Sequence, residues 1–197
     1  MRIFSLLTLI LLASLGCHHS PKNSKLSDNW TPLSGSKYKN LLRKNTKSHK
    51  EYQGLNLSFE AHLVFKNSKI LDNQLKMIGQ YKNWERNKAL DEKTKLTDQN
   101  KKTSSFFLSF YSPNRKRNKL DQTASDWRII LRTSEGELPG EIKFTDNISN
   151  HNSVFYPTLE RWGKFYSVSF PISTENLENK KFEVVLMGPE GSASFQF

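Results

Sequence analysis

The strongest constraint on the fold lies in residues 55–65. Leu55, Leu57, Phe59, Ala61, Leu63 and Phe65 are apolar, and Asn56, Ser58, Glu60 and His62 stand between them. Alternation with period two requires a strand with one buried face, and a strand of that kind needs a second layer to bury it. His62 is expected on the wet face. After Asn67 and Ser68, a fitting helix N-cap, the period changes: Leu71, Leu75, Ile78 and Tyr81 follow helical spacing to about Trp84. The charged stretch 85–98 is helix-compatible, with Ala89, Leu90 and Leu96 to bury.

From Phe106 onward the strand signal returns and stays. Residues 106–111 are a dense aromatic run ended by Pro113. Trp127, Ile129 and Leu131 alternate with arginines up to a turn at residues 134–136. Residues 138–145 are interrupted by Pro139 and Gly140, and residues 154–156 are stopped by Pro157. Trp162, Tyr166, Val168 and Phe170 alternate up to Pro171, residues 182–187 run into Gly188 and Pro189, and Ala193, Phe195 and Phe197 alternate to the last residue. About eight short strands separated by turn residues predict a mainly β (α+β) domain. The expected form is an antiparallel β-sandwich or partly open barrel with a helical insertion near 69–98. The outer side of the aromatic strands is expected to be covered by the helix at 69–84. With 36% hydrophobic residues and 13 Phe, the chain can build such a core and is not a disordered polymer.

The N-terminus reads differently. Arg2 is followed by an apolar stretch from Ile3 to Ala13, the length of a signal-peptide core and short of the roughly 20 residues that span a bilayer. Ala13, Ser14, Leu15 and Gly16 lead into Cys17, the single cysteine of the chain. This segment resembles the lipobox of bacterial lipoproteins in a relaxed, spirochaete-like form, with Ser14 where the usual box has Leu. The resemblance implies a signal peptide over 1–16 and a diacylglyceryl group on Cys17. It also implies a membrane partner through that lipid anchor and a place in the cell envelope. His18 after the cysteine implies outer-membrane delivery by the enterobacterial sorting pattern. The alternative is an ordinary secretory signal with a free thiol nearby. Two or three acyl chains anchor stably where one is marginal.

The net charge of +11 is uneven. Residues 17–54 carry eight basic and two acidic side chains, residues 66–102 ten and five, and residues 103–197 eleven of each. Residues 17–54, rich in Ser, Asn and Lys, read as a lipidated basic tether. The folded unit is then expected over 55–197, with its helical insertion at 66–104.

No phosphate-binding Gly-rich loop, G-x-S-x-G elbow or H-E-x-x-H pair is present. Glu135, Glu137 and Glu141 cluster at a turn and read as solvated. The expectation is therefore a protein that is not an enzyme, with no catalytic residues, no metal and no cofactor. One basic cluster stands out, Arg115, Lys116, Arg117 and Lys119, after the aromatic strand. Beside aromatics such residues can contact nucleic acid, but an exported domain points instead to an anionic lipid headgroup, an acidic glycan or an envelope protein. The plainer alternative is a charged loop that keeps a sheet end soluble. The functional expectation is a membrane-anchored, non-enzymatic binding or interaction module. The alternatives are a structural or assembly component of an envelope complex and, more distantly, an envelope hydrolase.

Overall fold

The computed structural model describes residues 30–121, 125–145, 154–157 and 163–197. Cys17, the lipobox around it and Trp162 lie outside the described residues. The elements are α1 (Gly35–Lys44), β1 (Thr46–Gln53), β2 (Asn56–Phe65), α2 (Ser68–Tyr81), α3 (Arg86–Asn100), β3 (Ser104–Tyr111), β4 (Arg128–Thr133), β5 (Gly136–Pro139), β6 (Glu141–Thr145), β7 (Lys164–Phe170), α4 (Thr174–Leu177), β8 (Glu183–Gly188) and β9 (Gly191–Gln196).

Two antiparallel sheets pack face to face. One has five strands in the order β1-β2-β3-β7-β6, the other four in the order β5-β4-β8-β9. Both are open, so the fold is a mainly β sandwich within an α+β domain. The alternation of β2 does what it predicts: Phe59, Ala61, Leu63 and Phe65 enter the core. There they meet Phe106, Leu108 and Phe110 of β3, Tyr166, Val168 and Phe170 of β7, and Ile129, Leu131, Val184, Leu186, Ala193 and Phe195 of the facing sheet. Burying each of the larger of these side chains contributes roughly 1.5–3 kcal/mol. Leu55 is the exception. It sits fully exposed at the tip of the β1–β2 hairpin, where Gly54 takes φ +63° in the two-residue turn.

The outer face of the five-stranded sheet carries the helices. The side chain of Asn67 accepts from the backbone N–H of Ile70 and caps α2. Ile70 then packs with Val64, Phe107, Tyr156 and, from α1, Tyr38 and Leu42. The predicted helical cover of the aromatic strands is therefore present. α3 closes on α2 through Ala89, Leu75 and Trp30, with Trp84 and Leu96 beside them. Leu90, expected inside, is half exposed.

Three expectations need correction. Residues 30–54, expected as tether, belong to the folded domain. Tyr38 and Leu42, one helical turn apart, are buried on the sheet, and β1 pairs along the whole of β2. Residues 154–156 form no strand; Tyr156 instead stacks on Phe107 at 3.8 Å between centroids, with the rings 8° apart. Residues 138–145 are two strands in different sheets. The chain crosses from β5 to β6 at Gly140, where an added Cβ would lie 2.5 Å from Phe170 and 2.7 Å from Ile129. Only a residue without a side chain fits that corner.

Candidate functional site

α1 is short and rich in lysine, and its apolar residues Tyr38, Leu41 and Leu42 fall on one side. That side lies on the sheet and leaves a flank open toward the C-terminal half of α2. The lead-in before α1 is pinned there. The N–H of Leu33 donates to Asn73 Oδ1 at 2.6 Å, and Trp30 packs so closely on Gly79 that a Cβ would lie 2.7 Å from its Nε1. On the third side, Tyr156 is fixed by its stack on Phe107 and holds residues 154–157 against the helices.

These three pieces enclose a groove of about 730 Å³. Its walls are Pro32 and Leu33 from the lead-in, Met77, Ile78 and Tyr81 from α2, and Val154, Phe155 and Pro157 opposite. A volume of this size suits a small organic ligand, for which roughly 300–1,000 Å³ is usual. Apolar surface is open at the rim, with Tyr81 at 74%, Val154 at 55% and Leu33 at 44% exposure.

The polar side chains of the lining are those of Tyr38, Lys39, Gln80 and Tyr81, and Gln74, outside the lining, holds the Tyr38 hydroxyl. Gln74 Nε2 donates to the Tyr38 hydroxyl at 3.0 Å, and that hydroxyl donates to the carbonyl of Phe155 at 3.0 Å. Burial pushes the Tyr38 hydroxyl up to about 12, opposed in part by the bond from Gln74. Burial raises Tyr156 as well. Both phenols are therefore neutral at physiological pH. Lys39 stands at the rim with no carboxylate partner among the described residues. The arrangement can receive a hydrocarbon or aryl body and hold one acidic end at the rim.

The basic cluster singled out from the sequence lies elsewhere. Arg115, Lys116 and Arg117 form a single 3-10 turn capped by Asn114. Arg117 is paired with Asp126 at 2.7 Å, and its carbonyl accepts from Trp127 Nε1 at 3.1 Å. The Tyr166 hydroxyl donates to the carbonyl of Asn118 at 2.6 Å. The backbone of the loop is thus tied to the end of the sandwich, and Arg115, Lys116 and Lys119 point into solvent. A cavity that begins at Leu120 is lined by Asp121, Ser125 and Trp127 and by none of the four basic side chains.

A second constellation was missed from the sequence because β1 was not read as a strand. Ser48 Oγ is 2.7 Å from His62 Nδ1, and Glu60 Oε1 is 3.0 Å from His62 Nε2 and 3.0 Å from Lys50 Nζ. The order hydroxyl–imidazole–carboxylate resembles a nucleophile with its base and orienting acid. The register accounts for it more simply: Ser48 faces His62 and Lys50 faces Glu60 across the hairpin. Lys50 takes up the same carboxylate oxygen, so the array pins β1 to β2. The signal that would have revealed it is Gly54, a turn residue between two runs of strand length.

Among the described residues no helix is long and apolar enough to cross a membrane. Compared with protein-family models, with curated proteins and with solved structures, the chain has no significant match.

Proposed function

We propose that this chain is a lipid-anchored envelope protein whose domain is a non-enzymatic binding module. Its ligand is an amphiphile whose hydrocarbon part enters the groove between α1, α2 and residues 154–157. The observation that carries this reading is the groove itself: a largely apolar concavity of about 730 Å³, with the neutral, hydrogen-bonded Tyr38 in its lining and one lysine at its rim. The anchor rests on the resemblance of residues 13–17 to a lipobox. In this reading residues 17–29 serve as the tether, and tethering raises the local concentration of the module at the membrane that supplies its ligand. Acylation of Cys17 is checked by mass spectrometry of the native polypeptide.

The groove is tested by displacing a bound anilinonaphthalene sulfonate dye with palmitate, comparing the unaltered protein with Ile78→Asp. The expected result is saturable displacement that weakens by about tenfold or more in the variant, since a charge buried without a partner costs several times RT. Displacement that Ile78→Asp leaves untouched rejects the groove. The exposed rim of Tyr81, Leu33 and Val154 supports a second reading, assembly with an envelope protein. Cross-linking from the rim to one protein in intact membranes, together with failure of palmitate to displace the dye, would select it.

A further inference from the structure

At the other end of the helical layer, where α1 stops and α2 starts, a second concavity of about 420 Å³ opens beside the ends of the two sheets. Lys44, Lys47, Lys69 and Lys180 line it, with Glu178 as the one acidic side chain of the lining and Phe197 beside them. Glu178 is already engaged, because its Oε1 accepts from the backbone N–H of Ser68 at 2.5 Å. Lys180 has a carboxylate at 3.6 Å, that of Glu135. Lys47 Nζ stands 5.8 Å from the centroid of the Phe197 ring. Lys44 and Lys69 have no carboxylate partner among the described residues.

The four lysines come from four places in the chain: the end of α1, β1, the first turn of α2 and the turn after α4. The fold alone brings them together. Asn179 takes the left-handed conformation, φ +65°, in the turn that carries Lys180 to the cleft, a backbone state that asparagine adopts more readily than most side-chain-bearing residues. Lys44 has a local explanation, since a cation in the last turn of a helix complements the dipole. Lys69 has the opposite problem. It sits in the first turn of α2, at the positive end, in a turn without any acidic residue. A cation there works against the helix; the Glu178 carboxylate on the Ser68 N–H offsets part of that cost from another segment, and Lys69 has no acidic neighbour in its own turn.

We infer that this cleft is a binding site for a phosphate ester, held by the ammonium groups of Lys44, Lys47, Lys69 and Lys180. Lys44, Lys47 and Lys69 have no carboxylate partner among the described residues and carry more charge than a monocarboxylate answers, whereas a phosphate monoester brings close to two negative charges and three acceptor oxygens. The proposal does not depend on the apolar groove. The phosphate can belong to a lipid headgroup or to a soluble ester, and the assay separates the two.

The full chain in zwitterionic detergent is titrated with glucose 6-phosphate, and separately with phosphatidylcholine vesicles containing or lacking phosphatidic acid. Two variants remove the same charge: Lys44→Gln/Lys47→Gln/Lys69→Gln in the cleft, and Arg115→Gln/Lys116→Gln/Lys119→Gln in the loop. The expected result is a loss of about tenfold or more in affinity for the cleft variant, with the loop variant within about twofold of the unaltered chain. Cleft-dependent binding of the soluble ester assigns a soluble ligand; cleft-dependent binding of phosphatidic acid vesicles alone assigns a headgroup. Equal losses in the two variants, or no binding in either arm, overturn the proposal.

Discussion

The two faces of the five-stranded sheet are built by different rules. The inner face is dry and aromatic: Phe59, Phe65, Phe106, Phe110 and Phe170 pack in one core with the facing sheet and meet one another in edge and offset contacts, such as Phe106 against Phe170 at 5.5 Å and 88°. The outer face mixes apolar and polar contacts. Val64, Phe107 and Ile70 lie in the same layer as Tyr38, Gln74 and Asn73, which spend their hydrogen bonds on holding α1, the lead-in and residues 154–157 in place. The inner face makes the domain stable. The outer face is where cavities can exist, because its cover is assembled from separate pieces joined by individual polar contacts.

The adjacent residues Phe106 and Phe107 test this division most directly, since they point to opposite faces of one strand. Phe106→Ala is expected to cost about 3–5 kcal/mol and lower the urea midpoint of the whole domain, because the space it leaves is walled by rigid strands. Phe107→Ala removes the ring on which Tyr156 stacks. It is expected to cost near the low end of that range, about 3 kcal/mol, because the helical cover can settle into the space. The ligand readouts should diverge the other way. Phe107→Ala releases residues 154–157 and weakens amphiphile binding in the groove, while Phe106→Ala leaves binding unchanged wherever the protein remains folded. Equal effects on stability and on binding would break the division between the faces.

The same division separates what the sequence discloses from what it hides. The inner face was legible because a buried strand face must alternate, and β2, β4, β7 and β9 do. α2 was legible from Leu71, Leu75 and Ile78 and the cap at Asn67. α1 and β1 were not. α1 is ten residues long with three apolar positions among its lysines. β1, at the edge of its sheet, is polar along its length, as an edge strand is when it must discourage further pairing. It is held by backbone pairing to β2, which leaves no mark in its own hydrophobic pattern. The cavities were hidden for a related reason. The groove takes residues from 32–39, 77–81 and 154–157, and the cleft takes Lys44, Lys47, Lys69 and Lys180. The run from Arg115 to Lys119 was conspicuous because it is contiguous in sequence, and contiguity is not convergence in space.

Alkaline titration sharpens the comparison at an intermediate scale. Burial pushes the hydroxyls of both Tyr38, in the outer layer, and Tyr166, in the sandwich, up to about 12 from the ordinary value of 10.0. The folded state therefore prefers the neutral phenol. The stabilisation is fully present below the unfolded pKa and is lost as pH rises from about 10 toward 12, when the unfolded chain ionises and the folded one does not. The expected loss is of the order of 1–3 kcal/mol. Hydrogen exchange should locate it first in α1 and α2, where Tyr38 is one of a few polar ties, and later in β3 and β7. Tyr38→Phe combined with Tyr156→Phe should flatten the early phase and leave the later one, since burial raises both outer-layer hydroxyls. A single phase with equal exchange in both regions would show that the helical layer is no looser than the core.

The smallest expected effect carries the most information about function. Lys69 stands at the positive end of α2, where its charge opposes the helix dipole, so Lys69→Gln should raise stability by about 0.3–1 kcal/mol at low salt. Added salt should shrink the gain, since screening weakens the interaction between the exposed charge and the helix end. Lys44→Gln, which removes a cation from the favourable end of α1, should lower stability by a similar amount under the same conditions. Both substitutions remove one positive charge from one cleft, so a ligand that needs the cleft loses affinity in both. Opposite signs in stability with the same sign in binding cannot come from a change in net charge or from damage to the fold. The stability signs report each lysine's place on its helix, and the shared loss of binding reports its place in the cleft. Two variants that shift stability in the same direction would mean that the dipole does not govern both lysines and that Lys69 is no burden on its helix.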